Sequence, residues 1–215
     1  MKKVLFTAIA VLGFTFANAQ SNKQGTMHVN VMGGFLTGSG TSQDDVAGSP
    51  KDKFTASGVQ FGAIFQYGLA ESFSAGIGLE FGTTVFSPKD ASAYGNIEPS
   101  LNTFKVKLSG RYYFVNKDKF NVYAGPSVGY TTAKDDTVYS FGFGFDQETK
   151  LSGLNYGVNA GGNYFFTDIV GVILNVGYEG NSLKSTTTYS DGTPEDTGKT
   201  TIGGVSIMAG LALKF

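Results

Sequence analysis

The sequence predicts an all-β chain whose eight antiparallel strands close into an up-and-down transmembrane β-barrel. Three observations predict it. From residue 25 to the C-terminus apolar residues alternate with small or polar ones, the period-two pattern of a strand with two unlike faces. The connections between these stretches are short and long by turns. On the apolar face, aromatic residues gather at two heights with aliphatic ones between them.

Composition narrows the field further. A chain of 215 residues is one domain's worth. Charged residues make up 15% of it, against about 25% in an average soluble domain. A net charge of -1 leaves no electrostatic footprint for nucleic acid, so no such partner is expected. With no Cys, a disulfide framework and a thiolate metal site are both excluded.

At the N-terminus, Lys2 and Lys3 precede an apolar run from Val4 to Phe16, followed by Ala17-Asn18-Ala19. A basic region, a short apolar core and a small-x-small site describe a cleaved signal peptide over 1–19, leaving 20–215 as the barrel domain. The run falls short of the ~20 residues a spanning helix needs. The pattern resembles exported proteins of the Bacteroidetes. No later run is long and apolar enough for a helix, so a membrane-spanning fold must be a closed barrel.

The strands follow in order. The first sets Met27, Val29, Val31 and Phe35 against His28, Asn30, Met32 and Leu36. The second, about 54 to 69, sets Val59, Phe61, Ala63, Phe65 and Tyr67 against Gln60, Gly62 and Gln66. In the third, Phe73, Ile77, Leu79 and Phe81 oppose Ser74, Gly78 and Glu80. Phe104, Val106, Leu108, Tyr112 and Phe114 oppose Lys105, Lys107, Ser109 and Arg111 in the fourth. The fifth has Val122, Ala124, Pro126, Val128 and Tyr130, and Pro126, lacking an amide, predicts a local break in the ladder. Leu154, Tyr156, Val158 and Tyr164 mark the sixth, and Val170, Val172, Leu174, Val176 and Tyr178 the seventh, where Glu179 shares the polar face. The eighth closes the chain with Val205, Ile207, Ala209, Leu211, Leu213 and Phe215 on one face and Gly204, Ser206, Met208, Gly210, Ala212 and Lys214 on the other.

Short turns fall at 70–72, 116–119 and 167–168, and long connections at about 38–53, 87–102, 133–149 and 180–200. Outer-membrane barrels show this asymmetry, with short periplasmic turns and long extracellular loops. The apolar face is expected to look outward. Its aromatic residues near the short turns are Tyr67, Phe73, Tyr112, Phe114, Tyr164, Phe166 and Phe215; toward the long loops they are Phe81, Phe104, Tyr130, Tyr156 and Tyr178. Two such girdles around an aliphatic band suit a lipid-facing wall. The opposite face, mostly Gly, Asn and Ser, carries too few charges for the exterior of a soluble barrel.

On these residues the chain resembles the small OmpA-like and OmpX-like outer-membrane β-barrels, often called porin-family proteins. The resemblance implies a Gram-negative outer-membrane location, contact with membrane lipid and lipopolysaccharide, and a C-terminal signal for the barrel-assembly machinery at Leu211, Leu213 and Phe215. It also implies a non-enzymatic structural, adhesion or surface-resistance role. A narrow passive channel, or an OmpW-like pathway for small hydrophobic molecules, is the alternative. An extracellular protein or surface ligand is a further possible partner.

Eight strands leave an interior just wide enough for side chains to fill. The inward charges Glu80, Lys105, Lys107 and Arg111 are therefore the candidate lumen network. Symmetric pairing about the long connection puts Glu80 opposite Ser109, with Lys107 and Arg111 as diagonal neighbours that neutralise it. A single His, His28, and the absence of Cys leave no nucleophile–base pair and no His-rich metal cluster, so no enzyme activity, metal or cofactor is expected. Tyr139, Phe141, Phe143 and Phe145 predict a hairpin above the membrane whose aromatic residues pack together or contact a partner. The last long connection, rich in Ser, Thr, Asp and Gly, is expected to be display surface.

Overall fold

A computed structural model describes residues 21–46, 48–88, 100–135, 147–189 and 196–215. Eight strands run Met27–Asp44 (β1), Asp52–Ala70 (β2), Phe73–Pro88 (β3), Ser100–Lys117 (β4), Phe120–Asp135 (β5), Gln147–Phe165 (β6), Val170–Tyr189 (β7) and Asp196–Lys214 (β8). Each pairs antiparallel with its neighbours in sequence, and β1 pairs with β8 to close the ring. The seam ends at a mutual bond pair: Met27 N donates to Phe215 O at 2.9 Å and Phe215 N to Met27 O at 2.8 Å. Closure matters because hydrocarbon offers no substitute partner to an unpaired backbone amide. The ladder between β4 and β5 jumps from Ser109–Ser127 to Tyr112–Ala124 beside Pro126. That interruption is where a missing amide places it.

Period two sorts the side chains as the sequence indicates. Phe61, Leu79 and Leu174 are 63%, 43% and 56% exposed on the outer wall, while His28, Asn30, Gln66, Glu80, Arg111 and Asn163 are buried inside. Both aromatic girdles project outward, and Phe35 and Phe61 add to the upper one.

Parts of the four expected long connections prove to be strand. Pairing continues above the upper girdle to Asp44, Pro88, Asp135 and Tyr189, and resumes at Asp52, Ser100, Gln147 and Asp196. The final connection, expected as display surface over 180–200, is a paired hairpin from Gly180–Gly203 up to Thr187–Asp196. What hid these extensions is an inversion of the pattern. Along β2, Val59 and Phe61 face out, but above them Ser57, Thr55 and Lys53 are the outward residues and Ala56 and Phe54 the buried ones. The same exchange occurs at Thr132-Ala133-Lys134, Lys150-Leu151-Ser152, Ser182-Leu183-Lys184 and Thr201-Ile202. Water replaces lipid outside, so the polar residue moves to the outer wall.

The signal peptide expected over 1–19 and the aromatic residues Tyr139, Phe141, Phe143 and Phe145 lie outside the described residues.

If the band between the girdles faces hydrocarbon, Leu108→Arg lowers the folding free energy by about 2–4 kcal/mol, whereas Ser57→Arg, above the upper girdle, costs about 0–1 kcal/mol. Urea titration of folding into phospholipid vesicles measures both. Equal costs at the two sites would refute the boundary.

Candidate functional site: a layered lumen

The inward face is built in tiers, each set by one or two residues from several strands. Uppermost is an apolar collar of Phe54, Ala56, Phe86, Leu101, Ala133, Leu151, Leu183 and Ile202. Within it Phe54 and Phe86 meet edge to face, with ring centroids 4.9 Å apart. Beneath it Thr131 donates to Asn181 Oδ1 at 2.9 Å, and Asn155 Nδ2 to the same oxygen at 3.0 Å.

Next comes a layer of charge. Lys105 Nζ lies 2.7 Å from Glu179 Oε2 and 3.9 Å from Glu80 Oε2. Lys107 Nζ lies 2.7 Å from Glu179 Oε1 and 2.5 Å from Glu80 Oε1. All four side chains are buried, and two ammonium groups balance two carboxylates. An unpaired ion here would carry a desolvation penalty of several kcal/mol, so the charges hold one another in place. Glycines make room for their stems. A Cβ at Gly62 would stand 2.7 Å from Glu80 Cγ, and one at Gly129 2.9 Å from Lys107 Cγ.

A cavity of about 30 Å³ separates this layer from the next; Glu80, Lys107, Glu179, Ser127 and Arg111 are among its lining residues. That volume admits one or two waters. Below it Arg111, 1% exposed, lays its guanidinium 4.1 Å from the centroid of the Tyr123 ring. Asn175 Nδ2 donates to Tyr123 Oη at 3.0 Å. His28 sits between Tyr113 and Phe165, with centroids 6.5 and 6.0 Å away. Ser74 Oγ donates to Gln66 Oε1 at 3.0 Å, and Gln66 Nε2 to Ser109 Oγ at 2.6 Å.

The periplasmic end is tied by residues ahead of β1. Gly25, at φ +88°, makes a turn in which Thr26 N reaches Lys23 O at 3.0 Å. This swings Asn22 under the β2–β3 turn, where its Nδ2 donates to Ala70 O at 2.8 Å and Glu71 O at 3.0 Å. Asn116 Oδ1 accepts from Asn22 N at 2.9 Å. Asn22 thus joins two periplasmic turns.

Of the residues the sequence singled out, the structure brings Glu80, Lys105 and Lys107 together and sets Arg111 apart. Symmetric pairing put Glu80 opposite Ser109; in the barrel Glu80 faces Lys105, and Ser109 faces Gly76. The displacement is four residues. An even shift keeps every side chain on its face, so alternation could not detect it; the stagger of the closed ring decides it. Glu179 was legible as an inward residue but not as a member of the cluster. Its strand, β7, meets β3 and β4 across the lumen rather than along a ladder, and register reasoning does not reach across a lumen. Leu211 is exposed on the outer wall and Phe215 forms the seam with Met27. Among the described residues no group of His, Asp and Glu side chains is placed to hold a metal ion.

A closed eight-stranded ring with a lipid-facing outer wall fits one further observation. The family described as outer membrane protein beta-barrel domain matches residues 18–180. The chain belongs to that family. It is an outer-membrane protein, and its barrel is superimposable on others of the kind. OprG from Pseudomonas aeruginosa aligns over 90% of this chain and 97% of its own at 20% identity, with a TM-score of 0.72. AlkL, solved in lipid bilayers, aligns over 93% and 94% at 17% identity, with a TM-score of 0.56. At such identities the likeness is one of fold. No curated protein matches the sequence significantly.

Removing one carboxylate from the charge layer strands a buried cation, and the two carboxylates are not equivalent. Glu179→Gln is expected to cost about 3–5 kcal/mol. Glu80→Gln is expected to cost less, because Glu80 holds one lysine closely where Glu179 holds two. Unfolding in urea, followed by heat-modifiable mobility on gels, ranks them; the reverse order would refute this assignment.

Proposed function

We propose that this barrel is a non-enzymatic structural element of the outer membrane, a closed cylinder that holds its four long hairpins beyond the bilayer for a role in adhesion or surface resistance. One observation carries the reading. The buried cluster of Glu80, Lys105, Lys107 and Glu179 spans the lumen from β3 and β4 to β7, each end paired to the other. Beneath it the Arg111, Tyr123, Tyr113, His28 and Phe165 tier occupies the same cross-section a second time. A rigid plugged tube is suited to presenting what stands on it. In this reading the outward Leu211 and Leu213 and the terminal Phe215 form the strand that the assembly machinery engages during insertion.

A specific feature favours a second reading, the passage of small hydrophobic molecules, as in OmpW-like barrels. The apolar collar from Phe54 to Ile202 gives the extracellular mouth a greasy lining that a purely structural barrel does not require. A narrow ion channel would have to pass the charge layer.

Planar-bilayer recording separates these roles. The wild-type barrel is expected to show no steady conductance, and Glu80→Gln combined with Glu179→Gln to produce brief openings. Steady wild-type conductance that changes with Glu80→Gln would overturn the structural reading in favour of a channel. Saturable uptake of an apolar fluorophore by wild-type vesicles, abolished by Phe54→Asp, would favour the second reading.

A further inference from the structure

One cation buried in the lumen has no opposite charge of its own. Lys105 and Lys107 balance Glu80 and Glu179, two against two. Lys214 sits at the periplasmic rim, where its Nζ lies 3.5 Å from Asp118 O in the turn between β4 and β5. Arg111 remains. It is 1% exposed, makes no ion pair among the described residues, and its Nη1 has no hydrogen-bond partner there. The tier it belongs to, with Tyr123, Tyr113, His28 and Phe165, holds no carboxylate.

The packing leaves the donors of this guanidinium available. Its N–H groups point outward in its own plane, and Tyr123 covers a face, 4.1 Å away, rather than an edge. Gly125 gives the side chain room, since a Cβ there would stand 3.1 Å from Arg111 Cα. Arg111 borders the cavity of about 30 Å³ beneath the charge layer, and further donors line the same space. Ser109 Oγ accepts from Gln66 Nε2 at 2.6 Å, which leaves its own hydrogen to give. Asn159 Oδ1 accepts from Asn175 Nδ2 at 3.4 Å, which leaves its amide hydrogens. Ser127 adds a hydroxyl. Glu80 and Glu179 reach the cavity too, but their charge is matched by the two lysines.

Charge and size together name the occupant. A buried cation without a counter-charge is costly, and a water would fill the space while leaving the charge unbalanced. One excess positive charge calls for one negative charge. A volume suited to about one or two waters takes a single monatomic ion and excludes bulkier oxyanions.

We propose that the cavity beside Arg111 is a binding site for one small monovalent anion, of which chloride is the common form, and that this ion completes the charge balance of the lumen. Arg111 supplies the charge, and Ser109, Ser127 and Asn159 supply the remaining hydrogen bonds. The site does not depend on whether the barrel displays its hairpins or passes small molecules.

The test uses the mature chain refolded in detergent, with halides as probes. Crystals grown in bromide are expected to show an anomalous peak in this cavity, within hydrogen-bonding distance of Arg111, and crystals of Arg111→Gln to show none there. In urea at fixed pH and ionic strength, exchanging gluconate for chloride is expected to stabilise the wild-type barrel, its folding constant rising about tenfold for each tenfold rise in chloride above the dissociation constant. Arg111→Gln is expected to lose that dependence, and Lys53→Gln, on the outer wall, to keep it. Should Arg111→Gln fold poorly, Ser127→Ala is expected to weaken chloride binding at least threefold. A bromide peak on the outer wall alone, meaning an adventitious ion only, would overturn the proposal. So would equal stability in gluconate and chloride, or a chloride dependence that persists in both Arg111→Gln and Ser127→Ala.

Discussion

Everything in this molecule depends on the ring being closed. In hydrocarbon a strand edge has no water to satisfy it, so the β1–β8 seam is the condition on which the other seven ladders can exist in a membrane. Closure with eight strands then fixes the bore. A cylinder this narrow has no room for bulk water along its whole length, and its interior must be packed with side chains like any other core. The difference from a soluble core is that most greasy residues have been claimed by the outer wall, so Asn, Gln, Ser, His and charge share the interior with a lower cluster of Met32, Tyr113, Tyr123, Phe165, Ile173 and Met208.

That exchange explains the layered lumen. Many of the polar groups in this narrow bore find one another tier by tier: amides with amides near Asn181, carboxylates with ammonium groups around Glu179, a guanidinium on an aromatic face at Tyr123, whereas the side chains of His28, Asn30 and Gln60 have no hydrogen-bond partner among the described residues. The many inward glycines are part of the same solution. Gly62 and Gly129 lie under the stems of Glu80 and Lys107, where a methyl group would displace the charges from their partners. Glu80 and Lys107 lie across a bore of fixed width because the strand beside each of them has been cut back to glycine.

Above the membrane the same chain changes solvent, and the pattern inverts within a single strand. Phe54 and Ala56 turn in where Val59 and Phe61 turned out. The barrel therefore continues beyond the bilayer as an inside-in protein with its own apolar collar, standing on a part whose interior is mostly polar around a buried cluster of Met32, Tyr113, Tyr123, Phe165, Ile173 and Met208. The boundary between the two regimes sets where the outer leaflet meets the wall.

Residue alternation determined the strand count and the two faces, because period two is a local property and survives whatever register the strands adopt; the two aromatic girdles and the sparse charge of the other face turned the apolar face toward the membrane. It also placed Glu80, Lys105, Lys107 and Arg111 inside. The upper strand extensions stayed hidden because polar Ser, Thr and Lys alternating with scattered apolar residues look like loop until a second solvent is considered. Which inward charges meet was settled by the tertiary structure alone. The stagger of a closed ring moved Glu80 four residues along β4, and the bore brought Glu179 from the far wall to both lysines. Ring stagger and distances across a lumen are properties of all eight strands together, and no stretch of the chain carries them.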